Sequence, residues 1–223
     1  MLADLKHHGP NAIIKHSAYT TPFAKLGRKD ILKMFDQFRN SLPVSDKKWN
    51  EYVGYFKRTK VPAKTTLLEE GKISRKMFLI ETGCIRVWFN NNGKDVTTQF
   101  FFEKNMVGSI ESFRKNIPSP VTIETIEPSV LWWIHKKDSD KIIEEIKEIP
   151  LLRDMFIDVI FDRTYDYMKQ FLSSIKDSPE QRYLNLLQER PQIIQRIPQH
   201  YIASYLGITK VHLSRIKSKL AKG

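Results

Sequence analysis

Three regimes of hydrophobic spacing follow one another along this chain. From about residue 57 to Trp133 the apolar positions alternate or cluster in short runs: KRTKVPAK, TTLLEE, KMFLIETG, CIRVWFNN, DVTTQFFF, VTIETIE and SVLWWIH. These runs are rich in Val, Ile, Thr, Phe and Trp, and Gly71, Gly83, Asn90 to Gly93 and the Pro118/Pro120 pair punctuate them. Many brief, evenly spaced strands predict an antiparallel barrel or jelly roll. The clearest hairpin joins CIRVWFN to DVTTQFF around Asn91-Asn92-Gly93, because Asn-Gly supplies the positive φ angles of a tight turn. On both sides of this region the period is helical. Arg28 to Phe38 reads as a short amphipathic helix, and Ser45 as the N-cap of another with Trp49, Tyr52, Val53 and Phe56 along its buried side. A helix is predicted from Lys137 to about Lys147, and Pro150 suits the first turn of a longer one.

That longer helix is predicted over Leu151 to Ile175. Its apolar residues recur every three or four positions and occupy more than one face, which is more than a single neighbouring sheet requires. Either both faces are covered within one chain, or a second copy packs there. Leu152, Met155, Phe156, Val159 and Tyr167 are the candidate dimer-seam residues. Ser178-Pro179 opens a last region in which Tyr183, Leu184 and Leu187 mark a helix ending near Pro191.

The stretch IPQHYIASYLGITKVHLSRIKSKL, Ile197 to Leu220, reads as two short amphipathic helices joined by a glycine turn. Ile202, Ala203 and Leu206 bury one side of the first, from about Gln199 to Leu206. Gly207 takes the turn. Thr209 caps the second, with Val211, Leu213 and Ile216 inward and Lys210, His212, Ser214, Arg215, Lys217 and Lys219 mostly outward. Such a helix fits a DNA major groove about 12 Å wide.

Charge supports this. The formal net charge is +12, from 37 basic and 25 acidic residues, and half of the excess lies in residues 196–223. From Arg190 onward there are seven Lys/Arg and no Asp or Glu, a distribution that attracts a duplex with one phosphate per ~1.7 Å. Cys84 is the only cysteine, so an internal disulfide and a Cys-ligated zinc or iron–sulfur site within one chain are excluded. His7, His8 and His16 have no partners at ligand spacing and read as surface histidines. The start lacks the apolar core of a signal peptide and no segment reaches membrane-span length, so a cytoplasmic protein with no membrane partner is expected. No nucleophile elbow, phosphate loop or zinc-ligating pair is present, and no enzyme is expected.

At Gln181 to Leu220, QRYLNLLQERPQIIQRIPQHYIASYLGITKVHLSRIKSKL, the chain is similar to the Crp/Fnr family of bacterial transcription regulators, in its helix, its R-P-Q segment and its helix-turn-helix ending in L-S-R. LLEEGKISRKMFLIETGCIRVWFNNNGKDVTTQFFFEKNMVGSIESF resembles the family's F-x-I-x-x-G-x-(I/V)-(R/K)-V pattern, with Gly71, Gly83 and Gly108 at turns. The resemblance covers nearly the whole chain. It implies a mixed α/β protein in two domains: an N-terminal antiparallel β jelly roll with flanking helices, a long dimerisation helix, and a C-terminal winged helix-turn-helix. The corresponding boundaries are 1–27 for an N-terminal extension, 28–149 for the jelly roll, 150–176 for the dimerisation helix and 177–223 for the DNA-binding domain.

The resemblance places Lys210 and Arg215 in the groove, with Val211 where many relatives carry glutamate. Arg215 suits guanine O6/N7 and Val211 a thymine methyl. Thr209, His212, Ser214, Lys217 and Lys219 are candidates for phosphate or base-edge contacts, with Ser214 alternatively a small residue for close helix approach. Cyclic-AMP-binding members carry a glutamate just after the turn that holds Gly108 and an arginine about ten residues on. Here Ser109 and Pro118-Ser119-Pro120 stand in those places. Gly108, Ser109, Glu111 and Ser119 are the effector-pocket candidates. Glu111, or Arg114 and Lys115 from the loop, are the possible substitutes. No tight cyclic-AMP binding is expected, the pocket being filled or holding another molecule. A haem ligand at His135, at a strand end, is the less favoured reading. The sequence thus predicts a dimeric, sequence-specific transcription regulator with double-stranded DNA as partner, RNA polymerase as a further candidate partner, no cofactor and an unidentified effector. The alternative is a ligand-sensing or protein-interaction module with a vestigial DNA-binding domain.

Overall fold

The computed structural model describes residues 44–222. The expectations for the 1–27 extension, for His7, His8 and His16 and for the helix at Arg28 to Phe38 lie outside the described residues. Ser45 caps helix α1 (Asp46–Gly54), its Oγ accepting from Lys48 N at 3.3 Å, and Trp49 and Tyr52 are buried. Eight strands follow: β1 (Lys57–Val61), β2 (Thr66–Leu68), β3 (Lys76–Thr82), β4 (Ile85–Asn91), β5 (Lys94–Phe101), β6 (Met106–Val107), β7 (Thr122–Thr125) and β8 (Ser129–His135). They form two antiparallel four-stranded sheets, ordered β1-β8-β3-β6 and β2-β7-β4-β5. Between them Phe78, Ile80, Ile85, Phe101, Val107, Ile123 and Leu131 interlock as one apolar core, the expected result of alternating side chains on facing strands.

The β4–β5 hairpin turns where the sequence predicts. Asn91 pairs with Lys94, leaving Asn92 (φ 52°) and Gly93 (φ 83°) as the central turn residues. Gly83 (φ 109°) is required more strictly, because a Cβ there would lie 2.2 Å from Ser129 Oγ. Helix α2 (Ile110–Lys115) sits in the β6–β7 connection, and α3 (Lys136–Ile146) follows β8. Tyr52 donates to Glu145 at 2.6 Å, tying α1 to α3.

Helix α4 runs from Pro150 to Lys176 with proline in its first turn. Leu152 is buried, Met155, Arg163 and Gln170 are half-buried, and the opposite side is open. Phe156, Ile157, Ile160, Phe161, Tyr167, Met168, Phe171, Leu172 and Ile175 are exposed away from that stripe, and Val159, in line with Met155 and Arg163, is exposed too. Ile157, Phe161, Thr164, Met168, Phe171 and Ile175 follow alternating four- and three-residue steps, the spacing of a two-helix seam.

The last four helices are α5 (Pro179–Glu189), α6 (Pro191–Arg196), α7 (Gln199–Tyr205) and α8 (Lys210–Leu220). The expected two-domain architecture is the one observed, an antiparallel β domain followed by a helical one. One detail differs. No strand follows His135 among the described residues, so the expected wing has no sheet. Pro191, read from sequence as a terminator, also opens a helix of its own. A proline in the first turn gives up an N–H that has no intrahelical partner anyway, and Ile193 anchors α6 at 0% exposure.

The helical domain does not stand apart from the barrel. Tyr183, Leu186, Ile193, Ile197, Ile202, Ala203, Leu206, Leu213 and Ile216 share one cluster with Cys84, Phe100 and Phe102 of the sheets. Strand β5 is an edge strand, and side chains rather than another strand occupy its free backbone groups. Ser204 Oγ accepts from Thr97 N (2.9 Å) and donates to Asp95 O (2.7 Å). Gln170 donates to Thr98 O (3.1 Å) and Arg190 to Phe100 O (2.8 Å). An edge covered in this way offers no template for another chain. Arg196 completes the clamp with two 2.8 Å bonds to Glu103, and it also pairs with Glu127.

Candidate nucleic-acid interface

Helices α7 and α8 are joined by Leu206, Gly207 (φ 66°), Ile208 and Thr209. The positive φ at Gly207 reverses the chain at little steric cost. Thr209 Oγ1 accepts from His212 N at 3.1 Å, satisfying one of the donors that a helix start leaves free. Leu213 (1% exposed) and Ile216 (4%) hold α8 against the domain core. That fixes its outer face: Lys210, Val211, His212, Ser214 and Arg215 are all exposed, and Lys217 is half-buried.

One sequence expectation changes here, and the surroundings of two further residues are defined. Val211 was read as facing inward by helical spacing, yet it is 61% exposed beside Lys210. It is the second residue of α8, where the first turn projects beyond the core. Lys219 is exposed but engaged, its Nζ 2.8 Å from Glu180 on α5, so it must leave a carboxylate to meet a phosphate. Ser214 is exposed on the same face.

The structure adds groups the sequence pattern could not gather. Arg86 on β4 is 1% exposed and stacks on Trp88 (4.7 Å) and on Tyr201 of α7 (4.0 Å), with Asp95 3.2 Å from its Nη2. Burial, followed by the charges of Lys210, Arg86 and Lys64, holds His200 below its ordinary pKa. The start of α7 therefore lies in a positive field to which the barrel contributes. No spacing rule links Lys64 or Arg86 to His200 across more than a hundred residues.

Of the effector-pocket candidates, Ser109 and Ser119 are buried, Gly108 is closely packed and Glu111 is exposed. Gly108 is packed by Met77, whose Sδ would lie 2.2 Å from a Cβ at that position. Met77 itself clusters with Phe113 and Ile134. Ser109 is buried at the N-cap of α2 without a side-chain capping bond. Ser119 is buried and donates to Val121 O at 2.7 Å. Glu111, weighed as a carboxylate displaced into the pocket, is instead on the exposed side of α2 and pairs with Lys115 at 2.8 Å. It sits one residue after the helix start, on the turn facing water. Arg114 is exposed as well. His135 Nδ1 accepts from Lys137 N at 3.3 Å and caps α3. Burial pushes the Cys84 thiol far above its ordinary pKa, so it is a core residue and not a reactive one. Among the described residues no group of three or more His, Cys, Asp or Glu is placed to hold a metal, and no helix is long and apolar enough to cross a membrane.

Residues 58–145 match the sequence profile of the cyclic nucleotide-binding domain. No curated protein sequence matches the chain significantly. Solved structures do. The c-di-GMP responsive global regulator CLP of Xanthomonas campestris is 15% identical, with a TM-score of 0.63 over 80% of this chain and 92% of that one. FixK2 of Bradyrhizobium japonicum is 12% identical, with a TM-score of 0.62 over 75% and 85%. A cyclic nucleotide-binding domain containing protein from Listeria monocytogenes is 18% identical, with a TM-score of 0.61 over 86% and 90%. What these chains share at such identities is the fold, an antiparallel β domain joined by a long helix to a helical domain.

Proposed function

We propose that this chain is a Crp/Fnr-type transcription regulator that binds double-stranded DNA sequence-specifically as a homodimer and catalyses no reaction. The observation that carries the reading is the open face of α8. Thr209 caps it, Leu213 and Ile216 anchor it, and Lys210, Val211, His212, Ser214 and Arg215 face outward with no acidic residue among them. In this reading Arg215 reads a guanine edge and Val211 a thymine methyl, while Thr209, His212, Lys217 and Lys219 meet phosphates or edges. The apolar open side of α4 supports pairing of two copies, which would present two α8 helices to successive major grooves. RNA polymerase is the partner such a regulator would engage once on DNA. In the place of a nucleotide phosphate site stand two buried serines and a packed methionine, which supports a regulator not controlled by cyclic AMP.

The test is a salt-controlled titration against a selected operator. Arg215→Ala should weaken specific binding by about 1–3 kcal/mol and relax preference at one base pair. Lys219→Ala should weaken all sequences evenly and lower the salt dependence. If both titrations match wild type, α8 is not the reading helix.

A further inference from the structure

At the elbow where α4 meets the helical domain stands a single arginine, Arg182, bonded to both. Arg182, half-buried on α5, sends its guanidinium to three backbone carbonyls in two separate segments. Nη1 donates to Ser174 O (3.0 Å) in the last turn of α4 and to Asp177 O (3.4 Å) at its C-cap. Nη2 donates to Leu206 O (2.9 Å), the C-cap of α7 immediately before Gly207. Carbonyls at helix C-termini lack intrahelical donors and carry the negative end of the helix dipole. A single cation therefore caps two helices at once.

The chemistry requires arginine. A planar guanidinium offers donors in a fixed fork, whereas a lysine ammonium is a single point on a flexible stem. The elbow is braced on its other side by Asp177, whose Oδ2 accepts from Ser173 Oγ (2.6 Å) and from Asn185 Nδ2 (3.0 Å). Nε of Arg182 is buried with no hydrogen-bond partner. The side chain is thus held by the three carbonyls, at the expense of its own third nitrogen.

We propose that Arg182 is a positioning residue: it sets the angle between α4 and the helix-turn-helix, and so the half-site spacing the dimer accepts. The spacing part rests on the DNA-binding reading above. Leu206 is separated from the start of α8 only by Gly207, Ile208 and Thr209, so a shift of its carbonyl moves the reading helix directly. A two-fold dimer must place its two reading helices about one DNA turn, roughly 34 Å, apart. An elbow free to rock would blur that distance while leaving each α8 intact.

The experiment uses full-length protein carrying spin labels at Lys169→Cys on α4, away from the seam, and Ser218→Cys on α8, both exposed, mixed with excess unlabelled protein. Cys84 is 0% exposed and stays unlabelled. With wild-type Arg182 the distance distribution is expected to be narrow. Arg182→Ala and Arg182→Lys should both broaden it, and the Lys variant keeps the charge in case Ala impairs folding. On DNA, Arg182→Ala should lose about tenfold for a symmetric site at the best spacing. The preference against sites shifted by a base pair should flatten, while affinity for an isolated half-site stays unchanged. Unaltered label distributions in both variants, or equal losses on half-site and full site, overturn the proposal. If wild type binds none of these DNAs, the DNA reading fails, while the label distributions still decide whether Arg182 sets the elbow.

Discussion

Ser204 Oγ and the Thr97 backbone N–H lie 2.9 Å apart, joining the first helix of the helix-turn-helix to the free edge of a β sheet more than a hundred residues earlier. Thr97 is 3% exposed, so no water is at hand to replace the serine. Ser204→Ala should leave a buried donor unsatisfied, at a cost of about 1–3 kcal/mol. Amide exchange at Thr97 should accelerate accordingly. Exchange as slow as in wild type would mean that the two domains part more easily in solution than this contact implies.

The Arg196–Glu103 pair makes the same coupling sensitive to pH. Burial raises the Glu103 carboxyl pKa, but the hydrogen bonds from Arg196 and from Gly83 N outweigh it, leaving Glu103 below the usual carboxylate value of 4.5. A lowered carboxyl pKa stabilises the folded state above its unfolded value. That stability is lost as pH falls through the lower folded value. Both side chains are 31% exposed, which screens the effect. Melting temperature should therefore hold from neutrality down to about pH 5 and then fall, and Arg196→Ala should flatten the fall. An identical acid limb in wild type and variant would assign it to other carboxylates.

Much of this is legible in the sequence, and the reasons differ by element. The β4–β5 hairpin is set by Asn92-Gly93, and the predicted caps Ser45 and Thr209 each take the expected bond three residues on. These are local rules, and local rules survive folding. Pro191 ends α5 as expected but also opens the unread helix α6, and Val211 faces out and not in, because proline and helical spacing each allow two outcomes that only packing decides. Glu111 could be placed outside the pocket only once the start of α2 was known. The Arg86–Tyr201 stack, the Arg196–Glu103 pair and the three carbonyls on Arg182 join residues from 5 to 115 positions apart with no periodic signal.

The open face of α4 sharpens the expected seam. Leu152 is buried against its own chain and Met155 half-buried, whereas Phe171 is 65% exposed and Val159 likewise. Phe171→Glu or Val159→Glu should shift the protein toward monomer in sedimentation at tens of micromolar. Unchanged sedimentation of both variants, or a monomeric wild type, would remove this face as the seam.

Cyclic nucleotides should find no anchor. In the proposed reading Ser109 and the Pro118-Ser119-Pro120 stretch replace a ribose-binding carboxylate and a phosphate-binding guanidinium, and since charge-assisted hydrogen bonds are worth about 1.5–3 kcal/mol each, their loss would cost on the order of a hundredfold or more. Calorimetry with cyclic AMP and cyclic GMP should show no saturable binding in the micromolar range, and DNA binding should proceed without either. A micromolar dissociation constant would mean that Arg114 or Lys115 turns inward on binding.

Glu180 offers a separate handle on Lys219. Removing its charge in Glu180→Gln should release the lysine and tighten binding to unrelated duplexes at low salt, with a steeper salt dependence by up to about one phosphate. A salt slope identical to wild type would show that Lys219 stays on α5 when DNA is bound.

The central claim is that two copies of α8 read DNA together, and selection from a random duplex pool by the full-length protein tests it most directly. The account predicts enrichment of a two-fold symmetric site whose half-site centres lie about one helical turn, roughly 34 Å, apart. Repeating the selection with Arg215→Ala should lose the preference at one base pair in each half. Failure to enrich any sequence, or enrichment of an asymmetric site untouched by Arg215→Ala, would contradict it.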